Sequence, residues 1–176
     1  MAIEINTIVS VGRQFGKNLP NITLEDAKFF GRPNFAGEEN RFKETKRQFT
    51  VLIPNDVADT LREIGYNVKT KIPTPEELAE NPDLGEISFL KVIIDKTVDG
   101  VWLKMGDAAP EKLAESTYPV IDRSRLTNID MEIRAWMYNS DEVEKGLEQP
   151  AYSARLVSFV ATLEPNRLQE KYGNLG

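Results

Sequence analysis

The sequence contains no cysteine and no histidine. Their absence excludes disulfides, cysteine nucleophiles, histidine general bases, and zinc or copper sites built on thiolate or imidazole. It leaves open a magnesium site made only of carboxylates, and chemistry by lysine or carboxylate side chains. A chain without cysteine suits a reducing cytoplasm or a secreted protein lacking disulfides. Long apolar runs are missing too. None reaches the roughly 18 residues of a membrane-spanning helix, so no membrane partner is expected. No N-terminal segment joins a basic stretch, an apolar stretch and a cleavage site. Internal repeats, coiled-coil heptads and low-complexity segments are also absent.

What remains is a chain of 176 residues, 40% hydrophobic, with a net charge of −6. That length builds one ordinary core, so residues 1–176 are read as a single domain with a short helical tail at 166–172. The acidic balance argues against a broadly basic nucleic-acid coat, but binding follows the local field. The charge divides unevenly, with a net of +2 for residues 1–50 and −8 for 51–176. Between Lys28 and Arg47 stand Lys28, Arg32, Arg41, Lys43, Lys46 and Arg47, against Glu38, Glu39 and Glu44.

Strand signals dominate. Thr23–Phe30 reads as a strand with mixed alternation, followed by the Gly- and Pro-punctuated segment Gly31–Gly37. Arg47–Ile53 is a more apolar strand ended by Pro54. Asn55 is the expected N-cap of a helix over Asp56–Ile64, with Val57, Leu61 and Ile64 as its apolar stripe and Gly65 as its stop. Tyr66–Lys71 is a strand candidate. Ile72–Gly85, rich in Pro and Glu, is a surface excursion with room for one helical turn. Ile87–Ile94 is a strand, and Asp99-Gly100 predicts a hairpin into Val101–Met105. Pro110–Glu115 suggests a helical turn and Tyr118–Ile121 a short extended segment. Asn128–Tyr138 alternates cleanly, Asn139–Pro150 is a polar loop, and Ala151–Leu163 is a long final strand. The pattern is mostly β: five or six strands and one helix after the second, in a curved, mainly antiparallel sheet that could close as a barrel.

The polar face of Asn128–Tyr138 is anomalous. Arg134, Trp136 and Tyr138 share it, and two rings beside a guanidinium can stack on nucleic-acid bases. The competing explanation is burial of this face under the helix or a partner subunit. Met131 and Met137 belong to the core. The basic segment interleaves rings with cations: Phe35, Arg41, Phe42, Lys43, Lys46, Arg47 and Phe49. Lys43, Lys46 and Arg47 could meet phosphates and exposed rings could meet bases. Ordinary solvated surface explains the same charges, and Phe49 is the ring best suited to the core. Lys28 and Phe30 share a face beside this segment, and Trp102 with Lys104 forms a third aromatic and cation pair. Signals for catalysis are weak. Gly12-Arg-Gln-Phe-Gly-Lys17 is not a phosphate loop. Asp130 and Glu132 could hold magnesium, but Arg134 is expected to pair with either. The chain is therefore not read as an enzyme, and no metal or other cofactor is expected.

Several pieces occur in an informative order: Phe35-Ala-Gly37, Arg41-Phe42, Arg47-Gln-Phe-Thr-Val-Leu52, Gly65-Tyr-Asn-Val-Lys69, Asn128-Ile-Asp130, Trp136-Met-Tyr138, Ala151-Tyr152 and Leu168-Gln-Glu-Lys-Tyr172. Together they resemble a family of bacteriophage single-stranded DNA-binding proteins with an oligonucleotide/oligosaccharide-binding (OB) fold. The resemblance implies a five-stranded antiparallel barrel carrying a short helix and loop insertions. It implies sequence-nonspecific coating of single-stranded DNA during phage replication or recombination, in the cytoplasm of the infected bacterial host. It directs Arg41, Lys43, Lys46 and Arg47 to phosphates, and Phe42, Trp136, Tyr138 and Tyr152 to bases. Self-association and contacts with phage or host replication proteins are further implied partners. The alternative is a non-enzymatic phage structural or protein-interaction module that uses the aromatic face for protein contact. Two features depart from a generic OB barrel: the helix after the second strand and the Pro- and Glu-rich insert at 72–86. The chain also departs from the resembled family, many members of which end in an acidic tail: its own ending, Lys171–Gly176, carries no acidic block. Either an acidic tail is cut away, or partner recruitment works differently.

Overall fold

Runs of β-branched and aromatic residues bounded by Gly, Pro and Asn become the strands of this chain. The structure, a computed structural model, describes residues 5–14, 18–39 and 45–164. Among the described residues there are nine strands: β1 (Ile8–Val11), β2 (Ile22–Ala27), β3 (Gln48–Ile53), β4 (Lys69–Lys71), β5 (Ile87–Ile93), β6 (Gly100–Met105), β7 (Glu111–Lys112), β8 (Leu126–Met137) and β9 (Tyr152–Leu163). Four short helices interrupt them: α1 (Asn55–Ile64), α2 (Pro75–Glu80), α3 (Pro119–Arg123) and α4 (Ser140–Glu144). The expected tail helix at 166–172 lies outside the described residues.

The sheet runs β1-β2-β8-β9-β5-β3, with β4 beside β5, and with β6 beside β9 and carrying β7. Most neighbours are antiparallel, but β5 and β6 both run parallel to β9. The mainly antiparallel sheet expected from the sequence is present, but these two parallel pairs depart from the antiparallel barrel implied by the resemblance, and the expected hairpin at Asp99-Gly100 does not form. β6 does not return along β5; both lie on the same edge of β9. The Asp99 N–H donates to the Val157 carbonyl at 2.7 Å, which pins the turn to the central strand. Gly100 is needed for a close approach and not for a turn. A Cβ there would stand 2.5 Å from the Trp102 indole, a packing use of strand glycine.

Bulges explain where alternation fails. The β8–β9 register passes from Ile133↔Leu156 to Glu132↔Ser158, leaving Val157 extra. Inward parity therefore switches: Ala154 and Leu156 are buried before the bulge, Phe159 and Ala161 after it. In β2 the pairs Leu24↔Met131 and Ala27↔Ile129 leave one residue over, and Asp26 has a φ of 54°. A non-glycine residue at positive φ is the signature of such a bulge. This is why the Thr23–Phe30 segment alternates imperfectly. Beyond β2 the chain still reaches β3: Phe30 N–H donates to Thr50 O at 2.8 Å and Leu52 N–H to Lys28 O at 2.9 Å.

The inward residues form one core cluster. At its centre Phe35 stacks on Phe49 at 5.4 Å and meets Phe159 edge-on at 5.0 Å, while Phe29 stacks on Phe159 at 6.2 Å. Phe49 and Met131 are buried as expected, whereas Met137 is half-buried. The Asp122 carboxylate holds Phe35 in place, accepting the N–H groups of Phe35 at 2.7 Å and Ala36 at 2.9 Å.

α1 buries Ala58 and Leu61 and stops at Gly65, whose φ of 131° suits glycine. Asn55 does not cap it. Pro54 occupies the N-cap position, while the Asn55 amide accepts the Ser88 hydroxyl at 2.7 Å and donates to Glu86 O at 2.9 Å. α2 supplies the expected helical turn, started by a capping box between Thr74 and Glu77. Residues 110–115 hold β7 in place of a helical turn, because Glu111 and Lys112 pair with β6. Tyr118–Ile121 is helical in place of extended. Pro119 is pre-set for a helix N-terminus, and the Tyr118 ring is drawn inward against Phe35.

Candidate nucleic-acid interface

Alternation in β8 turns Ile129, Met131 and Ile133 inward, and this aims Arg134 and Trp136 to the other side. Trp136 is 53% exposed and the neighbouring Tyr138 is 65% exposed, so no helix of the described chain covers them. Tyr138 borders a groove of about 280 Å³ that also takes in Tyr152, Phe89, Lys69, Lys91 and Thr50. Ser153, the cross-strand partner of Trp136, lines the same groove.

The groove is assembled by register. Lys69 of β4 and Leu52 of β3 flank Phe89 of β5, while Thr50 pairs with Lys91. Phe30 stacks on Phe89 with ring centroids 5.1 Å apart. Lys69 and Lys91 are both exposed, and neither has an ion-pair partner among the described residues. A polar chain fixes β4 to its neighbours. Arg62 of α1 donates from Nε to Val68 O at 2.8 Å and from a terminal nitrogen to the Thr70 hydroxyl; Thr70 contacts Ser88 at 3.1 Å. Residues on both sides of Lys69 are thus held. Underneath, buried Tyr66 donates its hydroxyl to Pro20 O at 2.7 Å. Burial, with the charge of Glu132 adding to it, raises the Tyr66 pKa and keeps this phenol neutral.

The other candidate residues divide. Arg41, Phe42 and Lys43 lie outside the described residues. Lys46 is exposed just ahead of β3, and its carbonyl accepts from Asn34. Arg47 is drawn elsewhere: it pairs with Glu115 at 3.3 Å and sits 5.3 Å above the Tyr118 ring, in a separate cavity of about 480 Å³. Burial and Glu115 raise the Tyr118 pKa, with Arg47 opposing them. Lys28 is exposed beside a third cavity, bordered by Asp122 and Ser124. Trp102 shares the outer face but lies seven residues along β9 from Trp136, about 20 Å away. Its cation is Lys112, at 5.8 Å from the ring. The expected ion pair of Arg134 with Asp130 or Glu132 does not form. Asp130 instead accepts the Asp26 N–H at 3.1 Å, and the Arg134 Nε is buried without a partner. Among the described residues no group of three acidic side chains could hold a metal ion.

A family model described as "Putative phage ssDNA-binding domain" matches residues 11–175. The chain belongs to this family. Family membership places it among DNA-binding proteins and not among enzymes. A comparison with curated proteins found no match. Among solved structures, the single-stranded DNA-binding protein from bacteriophage Enc34 with a C-terminal truncation is 14% identical, with a TM-score of 0.50 over 89% of this chain and 95% of that one. The same phage's protein in complex with ssDNA is 14% identical, with a TM-score of 0.48 over 89% and 96% of the two chains. The described residues form a mostly β sheet with helical insertions, consistent with an OB-like topology.

Of the residues expected from the sequence, Tyr138 and Tyr152 line this groove and Trp136 stands beside it, whereas Phe89, Lys69 and Lys91 line it without having been expected. One signal is available. Ile87-Ser-Phe-Leu-Lys-Val-Ile93 is apolar on both parities, and Lys91 alone marks the face that meets solvent. Phe89 shares that face, which makes it an aromatic next to an exposed cation.

Proposed function

We propose that this protein coats single-stranded DNA without sequence preference, using the outer face of β8, β9 and β5. The observation that carries this reading is the continuity of exposed Trp136 and Tyr138 with a groove holding Phe89, Tyr152, Lys69 and Lys91. Rings accept any base by stacking, and the lysines neutralise phosphates with release of counterions. Duplex DNA presents no free base to the rings, and the −8 of residues 51–176 disfavours its backbone beyond the groove. Protection of phage DNA during replication or recombination, in the cytoplasm of the infected bacterial host, is the setting this chemistry suits.

We read the frame as a barrel of five members: β2, β8, β9, β5 and β3. The two bonds between residues 28–30 and β3 support closure. A ring with an odd number of strands cannot alternate direction throughout, and the parallel β5–β9 pair is the one that parity demands. Phe30, beside that seam, stacks on Phe89, which lines the groove.

The test is a titration of fluorescent oligo-dT at several salt concentrations. W136A and Y138A should each lose about 1–3 kcal/mol of binding while melting as the wild type does. K69Q and K91Q should each lower the salt slope by about 0.7. Wild-type affinity in both aromatic variants would refute stacking on this face.

A further inference from the structure

Arg134 of β8 and Arg155 of β9 stand directly opposite each other in the antiparallel register. Cβ atoms at such positions are about 4.5–5.5 Å apart, and like charges placed there repel. Arg155 is partly neutralised. Its Nη1 meets the Asp95 carboxylate at 2.6 Å and its Nε donates to the Ser153 hydroxyl at 3.1 Å. Asp95 is anchored in turn by the Thr97 N–H at 2.8 Å and by the Thr97 hydroxyl. The guanidinium is therefore fixed in orientation, and Nη2 is left without a partner among the described residues. Its side chain remains 22% exposed.

Arg134 has still less. Its Nε is buried without a hydrogen bond, and no ion pair reaches it from the described residues. A buried donor without an acceptor is costly, and a pair of opposed guanidiniums multiplies the cost. Glu132, two residues away on the same face, would satisfy Arg134 if internal neutralisation were its fate, yet it does not pair. The two arginines together are complementary to a single anion. Forked guanidinium donors match the oxygens of a phosphate. The next outward residue of β8 is the exposed Trp136, opposite Ser153. A base on that indole brings its own phosphate to the arginine row.

We propose that Arg134 and Arg155 form one shared phosphate seat, adjoining the Trp136 stacking position. The proposal rests on the single-stranded DNA reading above, and it adds Arg155 with Asp95 as the group that orients it. The test compares the wild type, R134Q, R155Q, the double variant and W136A by oligo-dT titration across salt, with thermal melting of R134Q alongside. Each single arginine variant should bind about tenfold more weakly. The double variant should lower the salt slope by about 0.7, the value for one phosphate on a single strand. R134Q should melt at or above the wild-type temperature, because a like-charge apposition has been removed. Wild-type affinity and slope in both single variants, with binding weakened in W136A, would overturn the seat and leave the function intact. A slope change of about 1.4 would mean two separate phosphates and overturn the shared seat. A lower melting temperature for R134Q would show a structural arginine and also overturn it. Failure of the wild type to bind oligo-dT would remove the function and the seat together.

Discussion

Replacing Asp122 by Asn tests how the Phe35 segment is held in the core. The two Asp122 oxygens accept the N–H groups of Phe35 and Ala36 at 2.7 and 2.9 Å. Phe35 is fully buried among Phe29, Phe49, Tyr118 and Phe159. The segment it belongs to begins right after Phe30, the ring stacked on Phe89. Asparagine has nearly the same shape. It keeps one acceptor, loses the charge, and turns an amide NH₂ toward the second backbone N–H. A hydrogen bond to a charged acceptor contributes about 1.5–3 kcal/mol, and a neutral one about 1. One bond is thus weakened and the other lost with its donor left unsatisfied, so D122N should cost about 2–4 kcal/mol. In a chain of this size that corresponds to a fall in melting temperature of about 5–15 °C. Circular dichroism would follow the melt, and amide hydrogen exchange would show whether the protection of Phe35 and Ala36 is lost first. A melting temperature within about 2 °C of wild type, with both amides still protected, would refute the clamp.

Two further outcomes follow from local geometry. A Cβ at position 100 would stand 2.5 Å from the Trp102 ring, so G100A should displace the indole and cost about 1–3 kcal/mol. Unchanged tryptophan emission and an unchanged urea midpoint would contradict that packing. Burial works against ionisation of Asp95, but the Thr97 hydroxyl, the Thr97 N–H and Arg155 outweigh it and hold the carboxyl below its ordinary 3.8. A folded-state pKa below the unfolded one stabilises the protein above about pH 4, and that contribution is lost as pH falls through the folded value. D95N should therefore flatten the acid end of the stability profile; identical profiles for D95N and wild type in that range would show that Asp95 contributes nothing.

Long runs of β-branched and aromatic residues bounded by Pro, Gly or Asn are legible in the amino-acid sequence alone. β3, β5, β8 and β9 lie within a residue or two of the expected spans, and α1 ends at the expected glycine. The inward residues of β8 alternate because its core lies on one side, a constraint the strand carries within itself, whereas β9 switches parity at its bulge. β2 is blurred because the bulge at Asp26 breaks the period. Residues 110–121 mislead because what decides them is remote: β6 recruits Glu111 and Lys112, and Phe35 attracts the Tyr118 ring.

Residue types and local pattern were enough for the excluded chemistry, the mostly β character, and the placing of Trp136 and Tyr138 on one strand face. Each depends on residue type or on neighbours within one strand. That this face is exposed is a result of the tertiary structure. Only the tertiary structure decided which cations accompany that row. Lys69 and Lys91 come from β4 and β5, distant in sequence and joined by register, while Arg47 is diverted to Glu115. Charge is a property of the chain, but the field a ligand meets depends on which strands the hydrogen bonds make neighbours.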